Sequence, residues 1–154
     1  MPNREGSRFI RCFADAFRGV RVSVRQERNV RFHLCAAVYV LAYAACVRLP
    51  AVRLAVALGL IGAVLSMELI NSAIERLCDQ LGDGYRAGIR QVKDLAAGAV
   101  LVAAVLSAAS GVALMGEYVP EFFRALWRRP LAALLWLLSL PAALAFIFYR
   151  RRKL

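Results

Sequence analysis

The stretch "LAVALGLIGAVLSMELINSAIERLCDQ", residues 54–80, places a long uncharged apolar run directly before a group of carboxylates. Apart from Arg76 and the terminal Gln80, the strongly polar residues of this stretch recur at the three- and four-residue spacing of one helix face: Glu68, Asn71, Ser72, Glu75 and Asp79. A charge at the centre of a bilayer costs about 2.5–3.5 kcal/mol on insertion scales, so ionisable residues inside a membrane are usually functional. The stretch therefore predicts a membrane-crossing helix with a functional polar face at one end.

The chain contains further apolar runs that lack charge. In chain order the uncharged runs are 32–47, 54–67, 95–116 and 131–149. A helix needs roughly 17–25 residues to cross the hydrocarbon core of a bilayer. The third and fourth runs are long enough alone. The second is long enough if its helix continues through Glu68, and the first if Arg31 or Arg48 extends to the headgroups. These lengths predict an all-α polytopic membrane bundle.

The charge of the chain is strongly basic, with 21 Lys and Arg against 10 Asp and Glu in 154 residues, a net charge of +11. The arginines flank apolar runs, which indicates anionic lipid headgroups as their partners. No segment resembles a nucleic-acid-binding motif, so we expect no nucleic acid partner. The N-terminal residues are polar and basic without an apolar core, so we expect no cleaved signal peptide.

The distribution of arginines predicts the topology, because cytoplasmic loops are enriched in Lys and Arg. Both the segment 4–31 and the C-terminal "RRRKL" are basic, which favours both ends in the cytoplasm and four spans. The turn 48–53 and the connection 117–130 would then face outward and the loop 76–93 inward. The arginines in 117–130 conflict with this arrangement. A fourth segment that does not fully span would remove the conflict and put the C-terminus outside.

The N-terminal segment predicts an amphipathic helix. Its apolar residues recur at helical spacing: Phe9, Ile10, Phe13, Phe17, Val20 and Val24. A helix with such a stripe and a basic opposite face lies on a membrane surface, or alternatively packs on a partner as a soluble helix. The chain is thus expected to consist of a surface helix (1–30), a three-span core (31–116) and an extra C-terminal segment with a fourth span (117–154).

Several readings of the polar face remain open. Two carboxylates near each other repel, which favours a bound cation such as Mg²⁺ beside a phosphate. There are two alternatives. One is a polar seam that joins helices through Asn71 and Ser72, and the other is the ion site of a transporter.

The following glycine-containing loop ends in Lys93-Asp94, where Lys93 can neutralise phosphate and Asp94 can orient it or cap the next helix. We interpret His33 as an interfacial residue and not a metal ligand.

Three segments resemble a known family: "ELINSAIERLCD" (68–79), "KDLAAGAVLV" (93–102) and "RFIRCFADAFRGVRVSVRQERNVRFHL" (8–34). They are similar to the small integral-membrane lipid kinases of bacteria, the diacylglycerol kinase and undecaprenol kinase family. The resemblance covers roughly residues 7–115. The form "ERN-R-H" (27–33) is nearer to the undecaprenol kinase branch.

The resemblance implies a homotrimer of three-span subunits that uses MgATP to phosphorylate a lipid alcohol at the cytoplasmic face of the bacterial cell membrane. It implies that Glu68 is the general base and that Asn71 supports it. It also implies a set of nucleotide and metal ligands: Glu27 and Glu75 for Mg²⁺ and ATP, Lys93 and Asp94 for the phosphates, and Gly84, Tyr85, Arg86 and Arg8 for the nucleotide. Where the family often has tyrosine in the surface helix, this chain has Asp15, so the residue expected to stack on the nucleotide differs.

The acceptor favoured by the resemblance is undecaprenol, with diacylglycerol as the second choice. Two alternatives come from other classes. One is a small four-span transporter with a cation site at Glu68 and Glu75, and the other is a membrane scaffold joined by its polar stripe.

Overall fold

The structure, a computed structural model, describes residues 4–81 and 86–149; of the side chains of residues 4–7 and 86 nothing is stated. Within these ranges the chain is helical and contains no strand. The helices are α1 (Arg4–Gln26), α2 (Arg28–Cys46), α3 (Ala51–Gln80), α4 (Arg86–Met115), a short 3₁₀ turn (Gly116–Tyr118), α5 (Val119–Arg128) and α6 (Pro130–Phe148). The predicted all-α class is confirmed.

Four segments are long and apolar enough to cross a membrane: Arg28–Cys46, Ala51–Gln80, Ala87–Arg128 and Pro130–Phe148. α3 and α4 pack side by side and form the most extensive helix pair, with α2 against α3. The contacts at the two ends of the bundle show that successive spans alternate in direction. At one end Lys93 contacts Asp79, and at the other Arg53 donates to the Leu114 carbonyl at 3.1 Å.

Helix α6 returns along α2, antiparallel to it. The hydroxyls of Tyr39 and Ser139 are hydrogen-bonded at 2.8 Å midway along the pair, and Arg31 near the start of α2 contacts the Ile147 carbonyl near the end of α6. The helix continues through Pro141. The fourth segment therefore runs the length of α2, as a full span does, and the carboxyl end of α6 lies beside α1.

Helix α1 joins α2 at a corner formed by Glu27, whose backbone is extended (φ −99°, ψ 121°). The apolar stripe of α1 is exposed along its length, with Phe9, Phe13 and Phe17 each more than half accessible. Ser23, near the end of α1, is buried. The stripe is therefore free to lie on a membrane surface, the arrangement that the sequence pattern predicts for α1.

Arg31 does not extend to the headgroups, whereas Arg48, the alternative that the sequence offers, is exposed. The side chain of Arg31 is buried, with 6% of the residue exposed, and donates four hydrogen bonds to main-chain carbonyls. The acceptors are Val24 and Arg25 at the end of α1, each at 3.2 Å, and Ile147 near the end of α6, at 3.2 and 3.1 Å. Cationic side chains satisfy the unpaired carbonyls of helix ends in this way. One guanidinium thus fastens two helix ends to α2.

The connection 117–130 contains the short helix α5. Arg124 and Arg128 lie exposed on this helix, together with Phe123 and Trp127. Such a mixture of basic and aromatic side chains is typical of a helix at a membrane interface.

We predict that Arg31→Gln loosens the ends of α1 and α6 while the bundle stays folded. Hydrogen bonds from a charged donor contribute about 1.5–3 kcal/mol, so backbone amide exchange near residues 22–26 and 144–148 should accelerate about tenfold or more. Hydrogen-exchange mass spectrometry measures this. Arg21→Gln, which changes an exposed arginine of α1, is the control. Equal protection in both variants would contradict the role of Arg31.

Candidate active site

Glu68 is the most buried polar residue of the site, with 2% of its surface exposed. The helical period of α3 turns it toward α2, where its Oε1 lies 3.2 Å from His33 Nε2. A buried carboxylate is costly unless it is paired, and the imidazole of His33 is the partner within reach. His33 is thus the ion-pair partner of the Glu68 carboxylate among the residues that the structure describes.

The next turn of α3 continues the polar face that the spacing predicts. Ser72 Oγ donates to the Glu68 carbonyl at 2.9 Å, and Asn71 Nδ2 donates to Glu75 Oε1 at 3.0 Å. Asn71 and Ser72 are both buried. Asn71 Oδ1 is buried and has no hydrogen-bond partner in ranges 4–81 and 86–149. This leaves an amide oxygen beside Glu75 for an external donor or cation.

Two ion pairs tie the neighbouring helices to this end of α3. Arg76 Nη2 lies 3.3 Å from Glu27 Oε1 at the α1–α2 corner, and Lys93 Nζ of α4 lies 2.5 Å from Asp79 Oδ1. Glu75 lies two turns after Glu68 on α3, and Glu27 is joined to the same helix through Arg76. One end of the bundle thus concentrates several acids with a few cations.

The donor set suits a magnesium ion that is shared with a phosphate. Mg²⁺ prefers oxygen ligands and is usually held by one or two carboxylates together with water and phosphate oxygens. Glu75, Glu27 and the unpaired Asn71 Oδ1 are oxygen donors of this kind. No three His, Cys, Asp or Glu side chains cluster as a complete metal site within the described part of the chain. These protein groups therefore fit a magnesium site whose coordination is completed by oxygens of a bound ligand.

Some predicted site residues are not brought to this cluster. Arg8 is exposed on α1, about 27 Å along the helix from Gln26 at about 1.5 Å per residue. Asp94 is exposed on another side of α4, beside Gln91 and Leu95 in a groove against α3. Lys93, in contrast, reaches Asp79.

The predicted capping role of Asp94 is wrong. Helix α4 begins at Arg86, so Asp94 lies two turns inside the helix and not at its start. Gly84 and Tyr85 lie outside the described residues, and so does the side chain of Arg86. Asp15 is paired with Arg18 at 2.9 Å on the exposed surface of α1.

Sequence reasoning did not find the partners of the carboxylates. His33, interpreted as an interfacial residue, is the partner of Glu68, and Arg76, off the polar face, is the partner of Glu27. The available signal was the spacing within "ERNVRFH", since His33 lies two turns after Glu27 and faces the same end of the bundle. Recognising the pair also required the rotation of α2 against α3, which one sequence does not give.

Comparison with known proteins identifies the family. The family model for prokaryotic diacylglycerol kinase matches residues 14–115. An undecaprenol kinase from Bacillus subtilis is 40% identical over 108 residues, which cover 70% of this chain and 88% of that protein. A diacylglycerol kinase from Synechocystis is 35% identical over 104 residues, covering 67% of this chain and 59% of that protein. No solved structure matches the chain.

The chain therefore belongs to the prokaryotic diacylglycerol kinase family, as the sequence motifs indicate. The matched residues begin within α1 and end with α4. Helices α5 and α6 lie outside them.

We predict that His33→Phe lowers kcat for phosphoryl transfer about 10- to 100-fold with little change in the KM for ATP. A lost hydrogen bond to a charged group is worth about 1.5–3 kcal/mol, and about 1.4 kcal/mol in a barrier is tenfold in rate. His33→Gln keeps an N–H donor and should retain several-fold more activity than His33→Phe. Steady-state kinetics in detergent measure both. Equal kcat in the two variants would show that the hydrogen bond to Glu68 is not used.

Proposed function

We propose that this protein is a lipid kinase that transfers the γ-phosphoryl group of ATP to undecaprenol at the membrane interface. The observation that carries the proposal is the buried carboxylate of Glu68, oriented by His33 at the polar end of an otherwise apolar bundle. A lipid hydroxyl resides at headgroup depth, and ATP arrives from water. A base at the end of a membrane-spanning helix is accessible to both.

In the proposed reaction Glu68 accepts the proton of the lipid hydroxyl. The hydroxyl oxygen forms a bond to the γ-phosphorus, and the bond between that phosphorus and the oxygen of the leaving ADP breaks. His33 keeps the carboxylate in one rotamer by donating to Oε1, and Asn71 holds Glu75 in place. In phosphoryl transfer the protein acts mainly through such positioning and through charge neutralisation.

The nucleotide is proposed to bind across the ends of α2, α3 and α4. Glu27 and Glu75 would hold Mg²⁺, which when bound neutralises charge on the phosphates. Lys93 would contact the phosphates by exchanging its partner Asp79 for phosphate oxygens. The proposed nucleotide contacts also include Asp94, Gly84, Tyr85, Arg86 and Arg8. Arg8 would serve a neighbouring subunit's site, because in this chain α1 carries it far from the carboxylates.

The choice of undecaprenol follows from the relative that is named an undecaprenol kinase, which is matched over most of its length. Diacylglycerol is the second candidate, because the family model and the Synechocystis relative carry that name. We further propose a homotrimer in the bacterial cytoplasmic membrane. In this proposal the chain consists of a surface helix (1–30), a three-span core (31–116) and a C-terminal segment (117–154), with the site on the cytoplasmic side.

Glu68→Gln is predicted to lower kcat about 10²- to 10⁴-fold, the usual contribution of a general base. The amide still accepts the hydrogen bond from His33, so the helical circular dichroism and the detergent elution volume should not change. Transfer of ³²P from MgATP to undecaprenol measures the effect. Glu121→Gln, which neutralises an exposed acid of α5 at the other end of the bundle, is the matched control. Near-normal turnover by Glu68→Gln would contradict the assignment.

Glu75→Gln distinguishes the alternative classes. For a kinase it should raise the KM for MgATP and leave the oligomeric state unchanged. A scaffold predicts a changed oligomeric state and no chemistry. A transporter predicts cation flux into vesicles without ATP consumption by the wild-type protein.

A further inference from the structure

A groove between α2, α3 and α4, here called the central groove, begins at the candidate active site. Phe32 and His33 line one end, and its walls continue along Ala57 to Leu65 of α3 and Ala104 to Met115 of α4. Its volume is about 820 Å³. Between Phe32 and Tyr43 of α2 the groove is about 16 Å long, roughly half the thickness of a bilayer core. An apolar groove that reaches about halfway through the bilayer core thus starts at His33, the side chain beside Glu68.

The walls of the central groove are nearly free of available polar groups. Tyr43 already donates to the Met115 carbonyl at 2.9 Å, and Tyr39 is hydrogen-bonded to Ser139. Small side chains such as Ala108 and Gly111 leave the space open. A ligand that fits must be apolar along its length and polar only at the end beside His33.

The far end of the central groove is closed by helices outside the family match. Trp136 of α6 lines it, with its ring 5.1 Å from Tyr39 and 5.2 Å from Phe122 of α5. Phe122 in turn lies 5.0 Å from Tyr43. These four rings form an aromatic cluster that depends on both α5 and α6. The C-terminal segment therefore contributes directly to the wall of a groove that leads to the site.

The position and the walls of the groove favour a lipid chain. The groove begins at His33, which lies beside the carboxylate that would receive the acceptor hydroxyl, and its walls are apolar. Dividing 820 Å³ by the groove length of about 16 Å gives a mean cross-section of about 50 Å², which is wide enough for a methyl-branched chain. Ligand pockets commonly measure about 300–1,000 Å³.

We propose that the central groove binds the proximal isoprenoid units of the acceptor, with its hydroxyl at Glu68, and that α5 and α6 form the far wall. This rests on the proposed function and deepens it, because it assigns the chain-binding site and gives the C-terminal segment a role in acceptor recognition.

The first test blocks the groove. A Cβ at Gly111 meets no described atom within 4 Å, so the side chain of Gly111→Trp can enter the open space. The KM for undecaprenol should rise about tenfold or more while the KM for ATP stays the same. Ala145→Trp is the control and should behave as wild type, because Ala145 is exposed on the face of α6 opposite to Trp136. An unchanged KM for undecaprenol in Gly111→Trp would overturn the proposal, and so would an altered oligomeric state, which would indicate that a second copy fills the groove.

The second test removes the far wall. The chain has 2 tryptophans, so Trp136→Ala has a matched control in Trp127→Ala, at a position that is 90% exposed on α5. Trp136→Ala should raise the KM for undecaprenol at least severalfold with an unchanged KM for ATP, and Trp127→Ala should not. Equal effects of the two substitutions would overturn the role of α6.

A direct readout separates this inference from the proposed function. A polyprenol with a diazirine in its first isoprene units should label peptides from residues 104–115 and 130–140 of the wild-type protein, whether or not phosphate is transferred. Labelling without turnover would support the groove and contradict the kinase assignment. Turnover with labels confined to other surfaces would support the kinase and overturn the groove.

Discussion

The burial of one carboxylate constrains the rest of the molecule. Glu68 lies at the point where the apolar run of α3 meets its polar end, and the imidazole of His33 on α2 lies 3.2 Å from its carboxylate. This contact joins α2 to α3 beside the candidate site. A single interaction thus links helix packing to the chemistry that the family performs.

The two ends of the bundle differ in character, and the difference separates binding from chemistry. At the α1 end, acids and cations from α2, α3 and α4 form pairs that a phosphate can rearrange, such as that between Lys93 and Asp79. At the other end, tyrosine, phenylalanine and tryptophan rings close the central groove. Arg31 connects these features to the C-terminal segment, because it fastens the ends of both α1 and α6 beside the site. Helix α6 is therefore joined to α2 both beside the site, through Arg31, and at the aromatic cluster, through Tyr39.

Much of this architecture was predictable from the sequence, because membrane spans are determined by composition and length. The polar face of α3 was predictable as well, since positions three and four residues apart must share a helix face. The pairing of His33 with Glu68 was not, because it depends on the rotation of one helix against another. The choice between Arg31 and Arg48 was open in the sequence, since a basic residue at the end of an apolar run can reach either headgroups or helix carbonyls. Asp94 was misplaced because α4 begins two turns earlier than the charge pair suggested.

The most direct measurement of the central claim offers the purified full-length protein two acceptors together. Undecaprenol and dioleoylglycerol are supplied in equal amounts in detergent with ³²P-labelled MgATP, and the labelled lipids are separated. The account predicts label in undecaprenyl phosphate. Label in phosphatidate alone would contradict the acceptor, and no label in either lipid from folded protein would contradict the kinase itself.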